Sequence, residues 1–429
     1  MTTRTLQVDA LARVEGEGAL YVKLNGTEIE TVEFRIFEPP RFFEAFMQGR
    51  DAHEAPDITS RICGICPIAY VMGASHAMEQ ALGIEVTQPI RDLRRMIYCG
   101  EWIQSHVLHA AMLHAPDFLN LHDAMAIAKV EPELVKTALR LKKLGNTLME
   151  VIGGRSVHPV NTRVGGFYKA PSAEAIAGMI PELEWGVQAA GEVARGFAKF
   201  DFPDDDDTYV FVSLRHPDLY PIDEGRIMSS TGLDIAVDQF PDHFFETHVE
   251  RSNALHGHMK DGPPYLTGPL ARYANNFERL SETAKQTAAD CGLGPVVTNP
   301  FKSILVRMVE VQYAIEEALR LARAYEPFTP AFIDAAPRAG EGHGCTEAPR
   351  GICYHRYSID DEARITRATI VPPTSQNQPQ IEVDLTRVVR RYIDLDDDAL
   401  RWRCEQTIRN YDPCISCATH FLKLTVERT

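Results

Sequence analysis

Arg61-Ile-Cys63-Gly-Ile-Cys66-Pro67 and, almost at the other end of the chain, Asp412-Pro-Cys414-Ile-Ser-Cys417-Ala-Thr-His420 are the stretches on which the reading turns. Each carries thiols at i and i+3, which in a turn or at a helix start lie on one side and can grip one metal. Two such pairs make a four-thiolate site, and soft thiolates select zinc, nickel, copper(I) or iron over magnesium or calcium. The bland alternative is a structural zinc or a redox dithiol. Zinc ribbons set their pairs about 15–20 residues apart, because the metal staples a domain too small to fold alone. Here almost the whole of a 429-residue chain lies between them. The spacing therefore favours a catalytic metal buried where the two ends of the fold meet.

The rest of the composition excludes other classes. With 44 basic against 60 acidic residues, a net charge of -16, the chain has the wrong sign to hold a phosphate backbone, so nucleic acid is not an expected partner. Nine cysteines, few and odd in number, suit a reducing cytosol better than a disulfide scaffold. Met1-Thr-Thr-Arg-Thr lacks the apolar core of a signal peptide. The longest uncharged run, Ile62 to Ser75, is interrupted by glycines and a proline and falls short of roughly 18 residues, so no direct membrane insertion is expected and the location is read as cytoplasmic. There is no phosphate loop, no strand-linked G-x-G-x-x-G and no H-E-x-x-H. The glycines of Gly340-Glu-Gly-His-Gly344 are irregularly spaced for a dinucleotide turn, so this chain itself is not expected to hold flavin or nicotinamide.

Periodicity predicts a mainly α fold with a smaller β portion, an α+β arrangement around long helices. Residues 19–24 and 28–37 alternate about Asn25-Gly26 and read as an N-terminal hairpin. From about Gly73 the period turns helical, with stretches near 91–115, 129–152, 173–198, 242–260, 274–290, 303–326 and 396–409. Residues 363–371 and 421–426 read as strands. No repeat or linker marks a boundary, so residues 1–429 are expected to form a single unit: a β-rich part to residue 40, a helical core over 41–420 and a tail over 421–429. Asp204-Asp-Asp-Asp207 reads as a solvated loop, and Asp394-Leu-Asp-Asp-Asp398 as the cap of the following helix.

The neighbours of the thiols carry more. Arg61 precedes the first pair, His420 follows the second, and Arg13-Val14-Glu15-Gly16, Glu347-Ala-Pro-Arg-Gly351 and Pro373-Thr-Ser-Gln-Asn377 lie between or before them. Together they resemble the large, catalytic subunit of [NiFe] hydrogenases over essentially the whole chain. The resemblance implies the long-helix core of that subunit and reversible heterolytic cleavage of hydrogen. It implies Cys63 and Cys414 as terminal nickel thiolates, and Cys66 and Cys417 as bridges to an iron carrying carbon monoxide and cyanide. Glu15 is implied as the carboxylate relaying protons from the Cys414 sulfur, although alone it would read as an ordinary paired glutamate. Arg350 is implied over the metal pair with Asp412 as its partner, Thr374 as a donor to cyanide and Pro349 as a wall of the ligand pocket. Magnesium is implied at Glu44 and His420, aided by a carbonyl near Ile370, in keeping with its preference for oxygen and water.

Two positions depart from the family pattern: Tyr70 stands where many members have histidine, and Ser105 where they have aspartate. The Cys63-to-Tyr70 segment looks more like the soluble cytosolic branch coupling hydrogen to NAD(P). His106, His109 and His114 on a helix read as packing residues rather than ligands. Cys99, Cys291, Cys345, Cys353 and Cys404 form no ferredoxin-like run. Electrons must therefore leave through an iron–sulfur small subunit, and the branch implies diaphorase-type flavin and NAD(P) subunits, ferredoxin-like subunits and maturation proteins as further partners. In most family members a peptide after the histidine matching His420 is removed once nickel is loaded, so 421–429 reads as such a peptide or as the tail of a branch maturing without cleavage. The rival readings are a non-catalytic relative, like the quinone-side subunit of respiratory complex I, and a zinc-bound scaffold of a redox complex.

Overall fold

The computed structural model describes residues 3–420. The expected hairpin forms from Gly18–Asn25 and Glu28–Ile36, and Thr3–Val8 adds a third antiparallel strand. Every second residue of Gly18–Asn25 is buried, so one face of this sheet covers the core. Helix outweighs strand, about 48% against 20%, in line with the expected α+β class.

The bundle is built from Pro67–Leu82, Gln88–Val107, Pro132–Gly153, Ile180–Phe197 and Ser303–Ala324. Gln88–Val107 packs on Pro132–Gly153 and on Ser303–Ala324, which in turn carries Ile180–Phe197. The 67–82 helix is buried almost throughout, because a three-stranded antiparallel sheet, Gly340–Ala348, Gly351–Ile359 and Ile365–Val371, covers its other side. The contact is a seam of small residues. A Cβ placed on Gly340, Gly342 or Gly344 would lie 2.4, 1.9 and 2.2 Å from the carbonyl oxygens of Ala81, Ala77 and Gly73. The glycines too irregular for a nucleotide turn are thus alternate residues of a strand pressed onto helix backbone.

Several expectations are corrected. Residues 242–260 are a β-hairpin, Phe244–Val249 against Ser252–Met259, since Ser252, Ala254 and His256 are buried on a period of two. The stretch 274–290 is broken where the Ser281 hydroxyl accepts the Ala284 N–H and starts the helix Glu282–Asp290. The helical period begins at Pro67 rather than near Gly73, and Pro373–Arg391 is a helix the periodicity missed, with Pro379 inside it. The aspartate run is a loop with Asp204 and Asp206 exposed, but it is not solvated throughout. Asp205 is fully buried, 2.9 Å from both Arg387 and Arg391, and Asp207 also pairs with Arg387, so the run anchors the 373–391 helix. Asp396 caps Asp397–Asn410 as expected, accepting the Ala399 N–H at 2.8 Å. The strand read at 421–426 and the tail over 421–429 lie outside the described residues. Among those described, no helix is long and apolar enough to cross a membrane, and all nine cysteines are unpaired and buried.

Candidate metal centre

The first thiol pair sits at a helix start. Cys66 is the N-cap of the 67–82 helix, and the Cys63 sulfur accepts the backbone N–H groups of Ile65 and Cys66 at 3.3 Å each. Two side chains of the 88–107 helix hold this turn. The Glu101 carboxylate accepts the N–H groups of Ile68 and Ala69, the latter at 3.1 Å, and the Gln104 amide donates to the Ile65 carbonyl. Neither residue was expected from sequence. The available signal was a glutamate and a glutamine inside Ile97–Val107, a stretch otherwise built like core.

The second pair sits on a short terminal segment. It leaves the 397–410 helix through Asp412, which is left-handed (φ 52°), and continues into Ile415–Ala418. Thr374, in the first turn of the 373–391 helix, accepts the Cys414 N–H at 3.0 Å. Glu15 takes two donors: its carbonyl accepts Ile415 N–H at 3.0 Å and its carboxylate accepts Ser416 N–H at 3.1 Å. Arg41 joins the halves, donating to the carbonyls of Ile62 (2.7 Å) and Ser416.

All four thiols converge. Cys63 Sγ lies 3.5 Å from Cys414 Sγ and Cys66 Sγ lies 3.5 Å from Cys417 Sγ, and the four sulfurs are within 4.8 Å of one another, each 1–3% exposed. Hydrogen bonds from Cys414, Cys417 and Cys66 hold the Cys63 thiol well below its usual range, while burial pushes Cys414 and Cys417 up. A soft cation stabilises the thiolate form of such a buried cluster.

Arg350 completes the pocket. With Pro349 it forms the two-residue loop between Gly340–Ala348 and Gly351–Ile359. Its Nη2 pairs with Asp412 Oδ1 at 3.0 Å and its Nε donates to the Asp412 carbonyl at 2.6 Å. Nη1 is buried with no partner among the described residues. An unmet guanidinium donor beside four thiols suits an anionic ligand on a thiolate-bound metal, so the residues present fit a nickel–iron group. The loop is itself fastened, since Arg272 donates to the carbonyls of Ala348 (2.6 Å) and Pro349 (3.0 Å) and pairs with Glu347 and Glu310, while the Trp102 indole donates to the Glu347 carbonyl at 2.9 Å.

Glu44, Ile370 and His420 also meet. Glu44 Oε1 accepts the Ile370 N–H at 2.7 Å, and His420 Nε2 lies 2.8 Å from the Ile370 carbonyl and 3.7 Å from Glu44. Glu246, unforeseen, stands near both side chains, its carboxyl pushed up to about 7 by burial. The Glu15 carboxyl, raised by burial and by the Cys63 charge, interacts with the Cys414 thiol. The Tyr70 hydroxyl and Ser105 Oγ are buried without hydrogen-bond partners among the described residues. His106, His109 and His114 are packing residues: they meet Glu310, the Arg409 carbonyl and Asn410 at 3.1, 2.8 and 3.0 Å.

A four-thiolate cradle joining the two ends of a long-helix bundle, under a buried guanidinium, defines a class: the large subunit of metal-thiolate hydrogenases. The profile of the family described as nickel-dependent hydrogenase matches residues 41–137 and 259–420. Sulfhydrogenase 1 subunit alpha of Pyrococcus furiosus is 32% identical, with 98% of each chain covered. The NAD-reducing hydrogenase HoxS subunit beta of Cupriavidus necator is 27% identical, covering 98% of this chain and 95% of that one. The crystal structure of an NAD+-reducing [NiFe]-hydrogenase in the H2-reduced state superposes with a TM-score of 0.85 at 26% identity, covering 97% and 99%. The chain belongs to the nickel-dependent hydrogenase family and is a hydrogenase large subunit, an oxidoreductase acting on hydrogen.

Proposed function

We propose that the four thiols hold a nickel–iron pair, with Cys63 and Cys414 terminal on nickel, Cys66 and Cys417 bridging to iron, and carbon monoxide and cyanide completing the iron. When bound, this group supplies the site that splits H2 heterolytically and takes up its electrons. The observation that carries the reading is the meeting of two distant thiol pairs beneath the unmet Arg350 donor. Arg350, oriented by Asp412, presents a fixed positive charge and a hydrogen-bond donor to anionic ligands; Pro349 walls the pocket; Thr374 orients the Cys414 backbone. The proton rests on Cys414 Sγ, under the Arg350 guanidinium, and leaves through the Glu15 carboxylate. Glu15 is suited to this, because burial and the Cys63 charge raise its affinity for protons and it interacts with the Cys414 thiol. Glu44, His420 and the Ile370 carbonyl would hold magnesium.

Residues 1–429 act as one catalytic unit. Electrons leave through an iron–sulfur small subunit and pass on through flavin, ferredoxin-like and NAD(P)-binding subunits, a chain supported by the likeness to the NAD-reducing relatives. The assembly works in the cytoplasm and is completed by maturation proteins. The test is the infrared spectrum of protein purified anaerobically after co-expression with its maturation system. Bands of metal-bound carbon monoxide and cyanide are expected; a zinc-loaded protein without them would overturn the proposal.

A further inference from the structure

Cys66 is the N-cap of the 67–82 helix, yet its side chain takes none of the helix's N–H groups. An N-cap side chain ordinarily accepts the N–H of the second or third helical residue. Here those donors, on Ile68 and Ala69, both go to Glu101, a fully buried carboxylate brought from the 88–107 helix. Cys63, in the same turn, accepts two backbone N–H groups through its sulfur. The two thiols of one motif therefore differ in hydrogen-bond load, and Glu101 is the cause on the Cys66 side. Hydrogen bonds to a ligating sulfur draw off electron density and set the potential of the metal it holds.

We infer that Glu101 is a positioning residue that stands in as the helix cap, keeping the Cys66 sulfur free of backbone donors and thus the more electron-rich thiolate of its pair. Gln104, one turn further on, fixes the Ile65 carbonyl so that the turn cannot rotate its N–H groups toward Cys66. Glu101 touches neither sulfur through a hydrogen bond; it acts through the backbone. The inference takes from the proposed function that Cys66 is a metal ligand, and nothing else.

The test uses Co2+ added to the metal-free full chain, read by the thiolate-to-cobalt charge-transfer absorption. In Glu101→Ala the freed Ile68 and Ala69 N–H groups turn to the Cys66 sulfur and the band moves to higher energy. Glu101→Gln keeps one acceptor oxygen, so its band falls between wild type and the alanine variant. A merely structural role would lower the unfolding temperature and leave the band in place. Wild-type band positions in both variants would overturn the inference; where the alanine variant fails to fold, a wild-type band in the glutamine variant does so alone. Loaded enzyme gives a second reading, a shift of the diatomic-ligand infrared bands to higher wavenumber. Absence of those bands in the wild type would sink the nickel–iron reading while leaving the cobalt result to decide the role of Glu101.

Discussion

The two halves of the metal cradle are built differently. Cys63 and Cys66 stand on the end of a long buried helix and are clamped by Glu101 and Gln104 from a second long helix. Cys414 and Cys417 stand on a four-residue helix held by side chains and backbone from elsewhere: Glu15, Thr374 and Arg41. One half is part of the bundle's own packing, while the other depends on a handful of hydrogen bonds across the chain. A site of this kind has a rigid wall and a fastened door.

The harshest way to break the comparison is to remove a thiol from either half. Cys63→Ser and Cys414→Ser should each lose nickel and hydrogen-dependent activity completely, measured by metal analysis and hydrogen uptake; retained nickel in either would refute the four-thiolate assignment. Next comes the proton route on the loop side. Glu15→Gln should lower hydrogen–deuterium exchange on the order of 10²–10⁴-fold, the usual worth of a placed general base, with metal content unchanged. Thr374→Val removes one fastening of the loop half alone, and metal affinity should fall about 10–100-fold, as for outer partners of metal ligands.

The wall can be tested through its seam. Gly342→Ala sets a methyl against the Ala77 carbonyl and should destabilise by about 1–3 kcal/mol in thermal unfolding. Gly196→Ala, in the 180–197 helix with nothing within 4 Å of its added carbon, should instead stabilise by about 0.5–1 kcal/mol. The smallest effect is on pH. Burial pushes His106 down to about 4 and His114 down to about 3, so the unfolded chain binds more protons than the folded one below pH about 6.5. The stability their neutral forms contribute is full above that pH and is lost as pH falls through it toward 4. The unfolding temperature of the wild type should therefore fall relative to that of His114→Asn over this window.

Sequence made the thiols, the long helices and the motif residues legible, because each is a local pattern or a rare residue type. The clamp was not: Glu101 and Gln104 matter only through a turn brought to them by tertiary packing, and a lone buried glutamate has no local signature. The 242–260 hairpin was misread because its buried positions carry Ser252, Ala254 and His256, too polar or small to announce a period of two. Asp205 was misread because its partners, Arg387 and Arg391, lie far along the chain. The glycines at 340, 342 and 344 were weighed only against a nucleotide turn, whereas their partner is the surface of another helix.

That seam behaves as a vernier. Two strand residues advance about 6.6 Å and four helical residues about 6 Å, so the rungs at Gly73, Ala77 and Ala81 meet Gly344, Gly342 and Gly340 at nearly, but not quite, equal spacing. Slipping the strand by one residue would drive His343 or Glu341 into helix backbone, and slipping it by two would leave one rung facing a side chain. Arg350 rides at the end of the strand and Cys66 at the end of the helix. Their separation is thus indexed by a mechanical scale that has a single setting.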